Sequence, residues 1–357
     1  MSASESVSVG RQEARDLLRT LVATPSVSGN ERACADHLVA FFERHGREAW
    51  TDEVGNVHAP ADDSALLTSH IDTVPGEIPV EIAPGEERGE PSLWGRGSVD
   101  AKGPLAAMAV AAVREGVSFV GVVEEERESA GARHLIESGR EEPGAVVNGE
   151  PSGWNGITLG YRGLLSGTYV ATSESGHSSR PENNAIQDAF DWWGRVTDAF
   201  AEDEWTPVFE RVTPKPVAVE GGVSDDGLSV EATMEVQFRV PPAYSVEEVR
   251  ERADGELNGG TVRWHDFVPP VMMSPRTEVA RAFRVAIRDH DGDPRLLRKT
   301  GTSDMNLFAR VWDCPMVTYG PGNSDLDHAP NEHLPLAEFD RSVEVLSDVA
   351  ATLRGGS

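Results

Sequence analysis

Short apolar segments that run into acidic residues or a histidine are the feature that most constrains this sequence. The run Val117–Val123 leads directly into three glutamates at 124–126, and Ala65–Leu67 is soon followed by His70. Runs of this length and composition are typical of buried strands. Like charges at a strand end repel one another, and a fold tolerates them where a cation neutralises them or where one acts as a base. The pattern predicts a buried sheet with a functional site at one edge.

Two later segments repeat the arrangement. A second short apolar run, Val146–Gly149, ends at Glu150, and His328 supplies another imidazole near the C-terminus. Such residues at successive strand ends converge on one sheet edge, where open α/β sheets keep their sites. His70 and Asp72 lie on one face of an extended strand. We interpret His70 as a metal ligand and Asp72 as the carboxylate that orients its ring. The pair alone is equally compatible with two polar residues at a strand end.

Six motifs occur in one order along nearly the whole chain. They are His70–Pro75, Trp94–Gly103, the glutamates 124–126, Gly149–Pro151, Ser175–Pro181 and Asp327–Glu332. In this combination the chain resembles the co-catalytic zinc aminoacylase and carboxypeptidase family, which includes acetylornithine deacetylase and succinyl-diaminopimelate desuccinylase. Six motifs in order are far more specific than any one of them.

The resemblance implies a site for two divalent metal ions, Zn²⁺ first, with Co²⁺ or Mn²⁺ as alternatives. Asp100 would bridge both ions. His70 and Glu150 would complete one site, and Glu126 and His328 the other. Carboxylate oxygens and imidazole nitrogens are ligands that suit these ions.

The resemblance also implies the catalytic groups. Glu125 would be the general base that takes a proton from the attacking water and returns it to the leaving amine. The family pattern here is Asp-Glu-Glu, so a shift of one residue would make Glu124 the base instead. His177 would reach the active site of the opposite subunit and help to bind the oxyanion. Without the surrounding motif, His177 is a solvated loop histidine.

Substrate contacts are expected from two regions. Arg239 lies on an otherwise apolar strand and suits a bidentate clamp on the carboxylate of the leaving amino acid, with a surface ion pair as the alternative. Gly301, Thr302 and Ser303 form a turn that we expect to line the substrate site. The remaining positive charges near the motifs are candidates for a basic rim together with Arg239: Arg162, Arg180, Arg298 and Lys299.

Within the family, three segments set this chain apart from the deacetylases and desuccinylases. The glutamates 124–126, the turn Thr300–Asn306 and the segment Leu326–His333 look most like the hydrolases that release lysine or ornithine from the amino-group carrier protein LysW. The bond cut would join the carrier's C-terminal glutamate γ-carboxyl to the α-amino group. Acetylornithine deacetylase, succinyl-diaminopimelate desuccinylase and a dipeptidase stay open. The intact Glu125 argues against a metal-dependent binding module without catalysis.

Strands alternate with helices from about residue 55 to 160 and again after 274, which predicts an α/β fold with a mainly parallel, helix-covered sheet. Between these two segments the sequence predicts half-exposed strands and two helices, which together indicate an inserted α+β domain. We therefore expect a discontinuous catalytic domain at 1–163 and 274–357, and an inserted domain at 164–273. By resemblance the insert is a lid that also makes a homodimer.

The charge balance excludes some partners. The chain has 60 acidic and 32 basic residues, only three of them lysine, and a formal net charge of −28. This resembles proteins of salt-in halophiles, with an ordinary acidic cytosolic enzyme as the alternative. Nucleic acid is not expected because phosphate binding needs a basic face.

Residues 1–6 lack a signal-peptide pattern, no apolar stretch has membrane-spanning length, and Cys34 and Cys314 suit core positions. We expect a cytoplasmic protein.

Overall fold

The computed structural model describes residues 9–85, 89–177, 179 and 181–356. Arg180 and the N-terminal segment 1–6, for which no signal peptide is expected, lie outside these residues. The chain divides into two compact units. The first contains the residues up to Leu159, Met273–Leu297 and the residues from Leu307 onward. The second contains Gly160–Met272 and Arg298–Asn306.

The helices of the described residues are α1 (Arg11–Ala23), α2 (Arg32–Arg44), α3 (Lys102–Glu115), α4 (Ala130–Glu137), α5 (Ala185–Ala199), α6 (Val246–Gly255), α7 (Glu278–Asp289), α8 (Asp304–Phe308) and α9 (Leu336–Gly355). The strands are β1 (Trp50–Thr51), β2 (Val57–Ala59), β3 (Asp62–His70), β4 (Glu81–Pro84), β5 (Pro91–Trp94), β6 (Val117–Val122), β7 (Val146–Gly149), β8 (Gly156–Tyr161), β9 (Gly163–Glu174), β10 (Thr213–Val223), β11 (Ser229–Val240), β12 (Thr261–Val268), β13 (Val271–Met272), β14 (Arg295–Lys299), β15 (Met316–Thr318) and β16 (His333–Pro335). None of these helices combines the length and apolar composition that a bilayer crossing requires.

The central sheet of the first unit is mixed, with the order β1-β2-β6-β3-β7-β15-β8. Strand β3 is parallel to β6 and β7, and β7 is parallel to β15. The neighbours outside this parallel centre are antiparallel. The predicted α/β fold is confirmed, with a parallel centre and antiparallel edges. Because β3, β6 and β7 point the same way, the residues that follow them meet at one edge of the sheet.

Helix α3 forms the centre of the packing in the first unit. It is buried from Lys102 to Val113 and packs against β3, α1 and α9. Six of its fourteen residues are alanine or glycine. These small side chains let the sheet and the helices approach closely. The helix begins two residues after Asp100. A second, three-stranded sheet, β16-β5-β4, pairs His333 with Trp94.

The second unit is an antiparallel sheet, β10-β11-β9-β12, with helices α5 and α6 on one face. Alternate residues of β11 are buried under these helices, where Tyr169, Trp192 and Phe238 form an aromatic core. The alternation of half-exposed strands around two helices follows the sequence expectation. Strand β10 was not expected. Nine of its eleven residues are exposed, so the strand has no buried face that would give an alternating apolar pattern.

The two units differ from the expected domains by a few residues, at 160–163 and at Met273, and by one longer segment. Arg298–Asn306 clusters with the second unit, although its sequence position suggested the catalytic domain. Hydrogen bonds explain the difference. Arg162 Nε donates to the Thr300 carbonyl at 2.9 Å, and Asn306 Nδ2 donates to the Arg162 and Pro269 carbonyls at 3.2 and 2.8 Å. The turn proposed to line the substrate site thus shares a unit with Arg239.

Candidate metal centre

A cluster of acids and imidazoles lies at the carboxyl edge of the central sheet. Ligand atoms of His70, Asp100 and Glu126 all lie within 4.8 Å of one another. Asp100 presents Oδ1 to His70 Nε2 and Oδ2 to His328 Nε2, each at 3.2 Å. The two oxygens of one carboxylate therefore face two different imidazoles.

The remaining acids extend the cluster on either side of Asp100. Glu150 Oε2 lies 3.9 Å from His70 Nε2, and Glu126 Oε1 lies 3.0 Å from His328 Nε2. The cluster thus has two halves that share Asp100. Each half has one further carboxylate and one imidazole, in the grouping that the resemblance implied.

Backbone conformation helps to place the side chains of the cluster. His70 is the last residue of β3, and the glutamates follow β6 after one residue. His328 has φ of 60°, the left-handed region that non-glycine residues adopt at a cost and that is enriched at functional sites. Gly97, in the turn before Asp100, has φ of 80°, and a side chain there would meet Thr73 Cγ2 at 2.6 Å. This close approach explains the glycine.

The carboxylates of the cluster favour positive charge on the neighbouring imidazoles. The bond to Asp100 raises the pKa of His328 to about 9, against the opposing effect of burial and with the help of Glu126. Burial alone would lower the pKa of His70, but bonds to Asp100 and Asp72 and the charge of Glu150 raise it well above its ordinary value. Burial opposes ionisation of Asp100, yet the two imidazoles hold its pKa below the usual range. Burial and Asp100 raise the pKa of Glu126.

The donor set fits divalent ions. In the described part of the chain, Asp100 and Glu126 form ion pairs with imidazoles and with no lysine or arginine. Neighbouring carboxylates favour the protonated form of these imidazoles. A metal ion that binds in the cluster would replace those protons. Nitrogen and carboxylate donors are the ligands of zinc, cobalt and manganese.

Asp72 organises the neighbours of the cluster. His70 Nδ1 lies 3.1 Å from the Asp72 carbonyl and 3.4 Å from its Oδ1, so Nε2 faces Asp100. The Asp72 carboxylate also accepts the backbone N–H groups of Glu125 and Glu126 at 3.0 and 3.1 Å, and the Ser28 hydroxyl at 2.7 Å. One buried carboxylate therefore contacts the His70 ring and fixes the register of the glutamates. In that register the carboxylate of Glu126 contacts His328.

Glu332 is a residue that the sequence reasoning did not single out. Its carboxylate is buried and accepts hydrogen bonds from Arg96 and from the backbone N–H groups of Gly97, Val99 and Asp100. Its place in the motif Asp327–Glu332 was the only signal in the sequence. The contact itself joins segments more than 230 positions apart, which no local pattern shows.

The proposed substrate residues lie together in the second unit. Arg239 is half-buried and donates from Nη1 to the Thr302 hydroxyl at 3.4 Å. Ser303 is buried and donates its N–H to Asn306 Oδ1 at 2.9 Å. Burial lowers the pKa of Arg239. Burial and the charges of Arg239 and Arg211 lower the pKa of Arg162 to about 10. Gly301, in the same turn, has open space beside it.

The rim candidates and His177 have different surroundings. Arg162 is not part of a rim, because it is buried and donates to the Thr300 and Val208 carbonyls and the Thr213 hydroxyl. Arg298 is exposed and pairs with Glu210 at 3.0 Å. His177 lies exposed in the second unit with Nδ1 2.8 Å from Ser179 Oγ.

Comparison with known proteins gives consistent matches over nearly the whole chain. The model of peptidase family M20/M25/M40 matches residues 66–352. A protein of Deinococcus radiodurans named LysW-lysine hydrolase is 40% identical, over 97% of this chain and 98% of its own. A protein of Sulfurisphaera tokodaii named LysW-lysine/LysW-ornithine hydrolase is 30% identical, over 93% of each chain. The solved aminopeptidase PepT of Bacillus cereus shares the fold with a TM-score of 0.78 at 19% identity, over 97% of this chain and 99% of its own.

Proposed function

Since this chain belongs to the M20/M25/M40 peptidase family, we propose that it is a two-metal hydrolase that releases lysine or ornithine from the carrier protein LysW. Relatives 30–40% identical over nearly the whole chain carry this activity in their names. The family membership makes the chain a metallohydrolase. The substrate, the number and identity of the ions, and the assembly are the proposal.

One observation carries the proposal of two ions. Asp100 offers one oxygen to each half of the cluster, at 3.2 Å from His70 and 3.2 Å from His328. His70 and Glu150 would hold one ion, and Glu126 and His328 the other. When bound, the ions supply Lewis-acid polarisation of the scissile carbonyl and make water more acidic. Zn²⁺ is the ion we propose first, with Co²⁺ or Mn²⁺ as alternatives.

Glu125 is the proposed general base. Its backbone N–H donates to Asp72, and it immediately precedes Glu126, whose carboxylate contacts His328. The Glu125 carboxylate takes a proton from the attacking water as the oxygen bonds to the amide carbon. It then gives this proton to the nitrogen of the leaving amino acid as the C–N bond breaks. His177 is proposed to donate a hydrogen bond to the oxyanion that forms between these steps.

Arg239 is the proposed site for the carboxylate of the released amino acid. It is half-buried, its pKa is lowered by burial, and its neighbours Arg162 and Arg211 are also cations. A region with three arginines attracts an anion, and a guanidinium binds carboxylate with two parallel bonds. The Thr302 hydroxyl beside Arg239 and the rest of the Gly301–Ser303 turn would complete the subsite.

We propose a homodimer formed by one side of the second unit. Val219 pairs with the buried Met234, so both point to the helix-covered face, yet Val219 is 47% exposed. On α5, which packs against β10, Phe190 is 55% exposed. Among the described residues β10 is an outer strand of its sheet, so exposed apolar side chains accompany a free strand edge, which suits a second copy of the chain. A dimer would also allow His177 to serve the partner's site.

A comparison of substrates tests the proposed function. Metal-loaded protein is incubated in high salt with LysW-lysine, LysW-ornithine, acetylornithine and succinyl-diaminopimelate, and kcat/KM is measured for each. We expect a carrier-linked substrate to be preferred by a wide margin. A clear preference for acetylornithine would reject the carrier and favour the deacetylase alternative. The Glu125→Gln protein serves as the inactive control.

A further inference from the structure

Glu332 joins the two segments that supply the shared ligand and the second imidazole. It lies four residues after His328, and its carboxylate reaches the turn that ends at Asp100. One oxygen accepts the N–H groups of Val99 and Asp100 at 2.9 and 3.1 Å. The other accepts Arg96 Nη1 at 2.7 Å and the Gly97 N–H at 3.1 Å. Four donors thus converge on one buried side chain.

The contact controls the orientation of Asp100 because it holds the backbone on the N-terminal side of that residue. The two Asp100 oxygens lie at equal distances from the imidazoles of His70 and His328. A rotation of the turn would bring one oxygen nearer to its imidazole and move the other away. The segment after Glu332 is itself fixed, since His333 stacks on Trp94 with ring centroids 4.3 Å apart and pairs with it between β16 and β5.

We propose that Glu332 is a positioning residue that sets the spacing of the two metal sites by tying the Asp100 turn to the His328 segment. It touches neither ion nor substrate. The inference rests on the proposed two-metal function, and it adds that the geometry of the shared ligand is built by protein contacts before any ion binds. Such outer contacts are worth about 10- to 100-fold in metal affinity in other metalloproteins.

Hydrogen exchange of the unaltered, metal-free protein is the first test. The amides of Gly97, Val99 and Asp100 are expected to exchange slowly without metal, because Glu332 already holds them. Mass spectrometry or NMR resolves this segment and needs no activity. Fast exchange without metal, followed by protection only after Zn²⁺ is added, would overturn the proposal, since the ions and not Glu332 would then order the turn.

The second test compares Glu332→Gln with a matched control, Glu338→Gln. Glu338 is also a glutamate of the first unit, and it accepts the N–H groups of Gly322 and Trp154 without touching the Asp100 turn. Calorimetric titration with Co²⁺ should show affinity reduced about 10- to 100-fold in Glu332→Gln, and the visible spectrum of bound Co²⁺ should change. Glu338→Gln should keep the affinity and spectrum of the unaltered protein.

The outcomes separate this inference from the proposed function. If the unaltered protein binds fewer than two ions, the two-metal proposal fails together with the inference. If it binds two and Glu332→Gln binds them equally well, only the inference fails. An equal loss of Co²⁺ affinity in both variants would also overturn it, because the loss would then reflect a general destabilisation of the first unit. Should Glu332→Gln not fold, the exchange measurement decides.

Discussion

At the scale of single residues, Asp72 gives two adjacent glutamates different surroundings. It holds the backbone of both, and the carboxylate of Glu126 contacts His328. Glu125→Gln should lower kcat by about 10²- to 10⁴-fold with metal content unchanged, because an amide keeps the shape but is not a base. Glu126→Gln should instead reduce metal content. Elemental analysis and initial rates check both, with Glu124→Gln as the control. A loss of turnover in the control alone would make Glu124 the base.

Arg239 gives a second prediction at this scale. Arg239→Met should raise KM about 10- to 100-fold for LysW-lysine and for acetylornithine alike, because both would place a carboxylate on this guanidinium. Steady-state kinetics on the two substrates are the measurement. Arg250→Gln is the matched control, since Arg250 also lies in the second unit and its solvent-accessible pair with Glu251 contributes little in water. An Arg239→Met protein with unchanged KM would show that this arginine is a structural cation.

At the scale of secondary-structure elements, α5 and β10 predict the assembly. Phe190→Glu and Val219→Glu should each convert a dimer into a monomer, because a charge would have to be buried at the interface. Sedimentation at matched salt measures the mass. Val311→Glu is the control, since Val311 is equally exposed but lies in the first unit. Monomers of the unaltered protein, or dimers of both variants, would contradict the proposed interface.

Some of the elements could be predicted from the sequence, and others could not. The strands β3, β6 and β7 were predictable because short, largely apolar runs lie shortly before His70, before Glu124–Glu126 and before Glu150. Strand β10 was not, because it begins with Pro214 and Pro216 around an exposed lysine and buries no face. The family motifs led us to expect that these acids and imidazoles would lie together, and their role as metal ligands stays a prediction. The bonds of Glu332 and the placement of Arg298–Asn306 could not follow, because each depends on contacts between distant segments.

At the scale of the whole molecule, the net charge of −28 predicts salt-dependent stability. Repulsion among carboxylates opposes the compact state until ions screen it, and the screening length falls from about 10 Å at 0.1 M salt to about 3 Å at 1 M. The melting temperature should therefore rise as potassium chloride increases. A sucrose series at matched osmolality controls for exclusion of solutes from the surface. A flat or falling melting temperature in potassium chloride would exclude the halophile interpretation.

The order in which the ribosome makes this chain has a consequence for the metal cluster. His328 contacts Glu126 across 202 positions, and the entire β10-β11-β9-β12 sheet is synthesised between them. Domains fold as they emerge, N-terminal parts first. His70, Asp100, Glu126 and Glu150 are therefore exposed to cellular metal long before their last partner exists. Glu332, which holds the Asp100 turn, and α9, which packs against α3, are made later still. We therefore expect the cluster to be completed only when the last segment of the chain joins the first unit.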